Sequence, residues 1–157
     1  MTAAVKKTNL ESCLVHEGVE IIEDFCIDYF KNCDFSSDYK LDAVCSAGLV
    51  KLFCGYFKGS YGIIEIEMVG LYPGEVDDIH QNLIGILQEK VNSIPRRKGL
   101  ELFNYDISEG RVVLRFYACK SNGEKYTENE DVIRSVYQLS PALEFIADYL
   151  KKRAVGK

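Results

Sequence analysis

Between Tyr61 and Leu71 the side chains alternate in character, with Ile64, Ile66 and Met68 pointing one way and Glu65 and Glu67 the other. A period of two marks a strand whose faces meet different surroundings. One apolar face and one carboxylate face fit an antiparallel sheet covered on one side, whereas strands of a parallel sheet are apolar on both faces. Neighbouring segments extend the pattern. A strand over about Leu49 to Phe57 places Val50, Leu52, Cys54 and Tyr56 together, and a shorter one over about Leu41 to Cys45 precedes it. Ser46-Ala47-Gly48 and Lys58-Gly59-Ser60 supply the turns, where glycine tolerates positive φ.

Helical spacing brackets these strands. From about residue 9 to 33, Leu10, Leu14, Ile21, Ile22, Phe25, Cys26, Tyr29, Phe30 and Cys33 recur on a helical face, and Thr8 with Glu11 forms a capping box. Gly18 is a point where this helix can split, and Phe35 to Lys40 reads as a loop. After Tyr72-Pro73-Gly74, a second helix over about Glu75 to Ile94 carries the stripe Val76, Ile79, Leu83, Ile86, Leu87, Val91 and Ile94. Glu75, Asp77 and Asp78 suit its positive end, and Pro95 closes it. A hairpin follows: Leu100 to Ile107, the turn Ser108-Glu109-Gly110, then Arg111 to Cys119. Beyond the polar loop Ser121 to Tyr126, Thr127 and Glu130 form another capping box ahead of a last helix, with a kink or a fresh start at Ser140-Pro141.

The order α-β-β-β-α-β-β-α predicts an α+β fold, an antiparallel sheet packed with helices. At 157 residues and 47% apolar content the chain suits a single domain over 1–157, with flexible ends at 1–8 and 154–157. Its net charge of −5 argues against a nucleic-acid partner, which needs clustered cations. Arg96-Arg97-Lys98 and Lys151-Lys152-Arg153 both follow helical segments and read as partners of helix C-termini. Residues Met1 to Leu10 hold two lysines and no apolar leader core, and no window is long enough to span a bilayer. A cytoplasmic location with reduced thiols is expected.

The search for chemistry returns little. Cys13 and His16 are placed to share a metal, but two further ligands are missing, so neither a metal nor another cofactor is expected. His80 reads as a packing or rim residue. The six cysteines form no C-x-x-C pair and read mostly as small buried hydrophobes. Lys58-Gly59-Ser60-Tyr61-Gly62 joins two strands, whereas a phosphate cradle opens a helix. The acid pairs Glu23-Asp24 and Asp77-Asp78 are explained as solvated or helix-start charge. Ten tyrosines and eight phenylalanines, several on or beside strands, are the unusual feature; on an open sheet face they mark an interface.

From about Phe53 to Lys152 the chain resembles the YbjN family, whose fold is similar to that of class I type III secretion chaperones. The likeness is carried by Gly74-Glu75-Val76 to Val91-Asn92, by Leu102-Phe103-Asn104-Tyr105-Asp106-Ile107-Ser108-Glu109-Gly110-Arg111-Val112, and by Lys125-Tyr126-Thr127-Glu128 with the helix ending near Ser140-Pro141-Ala142-Leu143. The resemblance implies an α+β fold, homodimerisation and no established enzyme activity; its chaperone relatives bind extended client segments along an apolar surface. The resulting expectation is a non-enzymatic, chaperone-like interaction module that pairs with itself and with a client protein. The alternative is a small-ligand or regulatory domain with a pocket between sheet and helices. Tyr56, Glu65, Glu67, Arg115 and Tyr117 are the candidate binding residues.

Overall fold

The structure, a computed structural model, describes residues 19–47, 50–57, 61–94, 101–118 and 129–155. Helix α1 is Val19–Lys31, followed by strands β1 (Tyr39–Ala47), β2 (Val50–Phe57) and β3 (Tyr61–Met68). Helix α2 comprises Pro73–Ile79, a π-helical turn His80–Ile84 and Gly85–Asn92, with right-handed helical dihedrals at both junctions. Strands β4 (Phe103–Ser108) and β5 (Arg111–Ala118) precede helices α3 (Asn129–Gln138) and α4 (Ser140–Val155). The predicted α+β order is present, with a fresh helix beginning at Ser140. Pro141 falls in that helix's first turn, where a missing N–H costs nothing. The N-terminal half of the first predicted helix, Cys13, His16, Gly18, Arg96-Arg97-Lys98, Lys58-Gly59-Ser60, the Ser121 to Tyr126 loop and the helix-start threonines Thr8 and Thr127 lie outside the described residues.

The five strands form one sheet in the order β1-β2-β3-β5-β4, antiparallel throughout. After β3 the chain therefore passes through α2 to the far edge and returns by a hairpin to fill the gap beside β3. Strand β1 extends two residues beyond the predicted span at each end, over Tyr39–Ala47. Its Lys40, Asp42 and Ser46 weaken the apolar pattern, and pairing with all of β2 supplies what the pattern lacks. A register shift between Ala43 and Cys45 bends this edge.

One face of the sheet is packed by the helices. It presents Val50, Leu52, Cys54 and Tyr56 from β2, Ile64, Ile66 and Met68 from β3, and Val112, Leu114, Phe116 and Ala118 from β5. Cys26 and Phe30 of α1, Leu83 and Leu87 of α2, Val132 and Val136 of α3, and Leu143 and Ile146 of α4 complete a single core. Gly62 is the point of closest approach. A Cβ there would stand 2.8 Å from Val132 Cγ1 and 3.1 Å from Phe30 Cζ, so only glycine lets α1 and α3 settle on the sheet. Burying a side chain such as Phe30 contributes about 2–3 kcal/mol.

Within α2 the expected stripe needs correction. Ile86 is 37% exposed, while Ile84, absent from the predicted stripe, is buried. Ile84 lies three residues before Leu87 and seven before Val91, so it shares their buried side, whereas Ile86, next to Leu87, turns away from it. Among the described residues no helix is long and apolar enough to cross a membrane.

Candidate functional site

The described helices pack on one side of the sheet. The other side is closed over its middle: Ile63 and Val113 there are 5% and 0% exposed and Glu65 and Glu67 9% each, so β3 is buried on both faces, not covered on one side only as its alternation predicts. Two adjoining regions stand out on this side. The first is aromatic. Tyr39 pairs with Phe57 across β1 and β2, and Phe57 pairs with Tyr61 across β2 and β3. Ring centroids lie 6.4 Å apart for Tyr39 and Phe57, 5.8 Å for the stacked Phe57 and Tyr61, and 5.1 Å for the edge-to-face Tyr61 and Tyr117. Four strands thus each contribute one ring to a continuous row. Tyr39 and Phe57 remain 54% and 46% exposed, so the row faces outward. Burial raises the Tyr61 phenol above its ordinary pKa, and Tyr117 and Tyr39 add to the effect.

The second region is a grid of paired charges. Arg115 spends its guanidinium on three acceptors: Nε donates to Glu65 Oε1 at 2.9 Å, Nη1 to Asn104 Oδ1 at 2.9 Å and Nη2 to Asp106 Oδ2 at 3.2 Å. Asn104 Nδ2 in turn donates to the Tyr117 hydroxyl at 3.0 Å, tying the grid to the aromatic row. Arg111 Nε donates to Glu67 Oε2 at 2.5 Å. Burial alone favours a neutral guanidinium at Arg115, but Glu65 and Asp106 outweigh it and hold the pKa above its ordinary value. Each charge is matched across strands, so the grid fixes the rings beside it at little net electrostatic cost.

Four of the predicted site residues, Glu65, Glu67, Arg115 and Tyr117, therefore share this face. Tyr56 does not. It is fully buried on the helix side, where its hydroxyl accepts the Ser37 N–H at 3.2 Å and its ring meets Phe35 edge-on at 4.9 Å. The five residues cannot line one pocket between sheet and helices, because the sheet itself separates Tyr56 from the rest. Strand alternation is the reason: Tyr56 and Phe57 are neighbours and must diverge. Tyr39, Asn104, Asp106 and Arg111 were not singled out from the sequence. The signal for Phe57 and Tyr61 was their symmetric placement about a turn; for Asn104 and Asp106 it emerges only once β4 is paired with β5.

Several other chemistry-bearing side chains have structural surroundings that explain them, whereas Glu23 Oε2 is buried without a hydrogen-bond partner among the described residues. Cys26 and Cys54 are both buried, with sulfurs 3.6 Å apart. The hydrogen bond to Cys26, together with burial, holds the Cys54 thiol well above its ordinary pKa, and burial raises Cys33 as well. These shifts run opposite to those of an activated thiolate. The Tyr29 hydroxyl donates to Asp42 Oδ2 at 2.8 Å; burial first, and this carboxylate second, keep it protonated. His80 is exposed on the π-helical turn, its ring 6.1 Å from that of Tyr105, a rim position. Among the described residues no group of three or more His, Cys, Asp or Glu side chains is placed to hold a metal ion. No family model, no curated protein and no solved structure matches this chain.

Proposed function

We propose that this chain is a non-enzymatic protein-interaction module of chaperone-like character, working as a homodimer that receives an extended segment of a client protein along the aromatic row at the end of its sheet. The observation that carries the reading is the row Tyr39, Phe57, Tyr61 and Tyr117. Aromatic side chains held rigidly at a surface supply contact area at low entropic cost and are enriched at interfaces. The adjoining grid leaves few donors or acceptors free for reaction and suits contact more than turnover. The resemblance to the YbjN family and to class I type III secretion chaperones supports the same class, and the outer edges of β1 and β4, unpaired among the described residues, supply backbone groups for association.

Selection from a displayed library of random twelve-residue peptides tests the client face. The native chain is expected to enrich segments with spaced apolar residues. The double substitution Phe57→Ser and Tyr61→Ser should weaken the selected peptides by about tenfold or more, the loss of two interface aromatics. Undiminished binding by a folded double variant would remove the aromatic row from the proposal.

A further inference from the structure

A second surface lies on the opposite side, where the start of α2 meets the β4–β5 turn. Here Leu71, Val76 and Ile107 form the floor of an open groove of about 520 Å³, with Pro73 as one wall and Asp77 and Glu109 at its margin. We propose that this groove receives a peptide bearing an aliphatic anchor flanked by lysine or arginine.

Three observations carry the assignment. The groove is preformed. The Leu71 N–H donates to the Gly110 carbonyl at 3.0 Å, which clamps the turn to the segment leading into α2, and Gly110 holds the turn at φ 69°. At the start of α2 the Tyr72 N–H donates to Glu75 Oε1 at 3.1 Å, closing the helix's first turn. A fixed groove avoids the ordering cost that weakens binding to a mobile one. The lining is partly apolar and reaches solvent, with Leu71 buried and Ile107 38% exposed.

The charge at the margin has one sign. Asp77 and Glu109 are exposed and make no ion pair among the described residues. Glu75 already answers the positive end of α2, and Asp78 is engaged by Tyr149 and Asn82. Arg111, the cation closest in sequence, is committed to Glu67 on the other face. Two unmatched carboxylates beside an apolar floor select cations flanking an apolar side chain. A peptide is the occupant because Ile107 and Ser108 belong to β4, whose outer backbone edge is unpaired among the described residues and can bond a main chain laid along it.

The test is an amide-resolved NMR titration of the full chain with three synthetic peptides: Gly-Lys-Arg-Leu-Arg-Lys-Gly, the same with glutamate and aspartate replacing the cations, and the same with serine replacing leucine. The basic leucine peptide is expected to shift the amides of Val76, Ile107 and Gly110. The other two should bind at least about tenfold more weakly, and Asp77→Asn with Glu109→Gln should weaken the first by about five- to tenfold, as for two exposed charge pairs. Absence of those shifts, equal binding of the control peptides, or undiminished affinity in the folded variant would overturn the proposal. The Phe57→Ser and Tyr61→Ser variant separates it from the proposed client site: loss of the basic peptide there would place it on the aromatic row and refute the groove, whereas unchanged binding supports it.

Discussion

Asp78 shows how one exposed side chain on α2 is tuned by a distant helix. It accepts hydrogen bonds from Tyr149 of α4 and from Asn82 Nδ2, the latter at 2.7 Å. These bonds, Tyr149 first, hold its pKa below the ordinary 3.8. A carboxylate with a depressed folded pKa adds stability that is fully present above its unfolded pKa and is lost as pH falls through the folded value. Tyr149→Phe is therefore expected to cost about 0.5–1 kcal/mol at pH 7, a solvent-screened hydrogen bond, and the difference from the native chain should shrink as pH drops below the ordinary carboxylate range. Urea denaturation at pH 7 and pH 3, with side-chain carboxyl titration by NMR, measures both. A deficit that is the same at the two pH values would mean that Tyr149 acts through packing alone. Backbone conformation decides another position: Phe35 adopts φ 52°, unfavourable for a bulky residue, and is retained where its ring packs on Tyr56.

At the scale of elements, α2 is the least regular part. It carries a π-helical turn, and Ile84 at the end of that turn enters the core while Ile86, two residues on, reaches the surface. Ile84→Ala is expected to destabilise by about 2–4 kcal/mol, whereas Ile86→Ala should stay within about 1 kcal/mol. Guanidinium denaturation of both variants checks the phase of the helix, and equal losses would place the turn elsewhere. Helical spacing over Val76, Ile79, Leu83, Leu87 and Val91 was enough to find the helix. The inserted residue was not legible, because a π-helical turn has no sequence signature of its own and arises from how the helix seats on the sheet. β1 was similarly underread: Tyr39, Lys40 and Ala47 join a strand because β2 offers a full partner, not through their own alternation.

For the whole molecule, the sheet divides the chain's aromatic residues into two populations. Phe30, Tyr56 and Phe116 fill the core, while Tyr39, Phe57, Tyr61 and Tyr117 stand on the opposite face. Exposed aromatics, and outer edges of β1 and β4 that are unpaired among the described residues, are liabilities in a lone protomer, and self-association relieves them. Sedimentation equilibrium across the micromolar range is expected to return twice the mass of the 157-residue chain; a monomer throughout would remove homodimerisation from the proposed function. Local alternation in Tyr61–Met68 and Arg111–Ala118, and helical spacing in α2, were fixed by the order of residues alone, since the two-residue and 3.6-residue periods are properties of the backbone. Which strands became neighbours was not. Placing β5 between β3 and β4 brings Glu65 to Arg115 and Tyr61 to Tyr117, pairs some fifty residues apart in the chain. The assembled core decides that arrangement: β3 and the middle of β5 are buried on both sides, Ile63 and Val113 as well as Ile64 and Leu114, and a one-residue slip would turn every side chain to the other face.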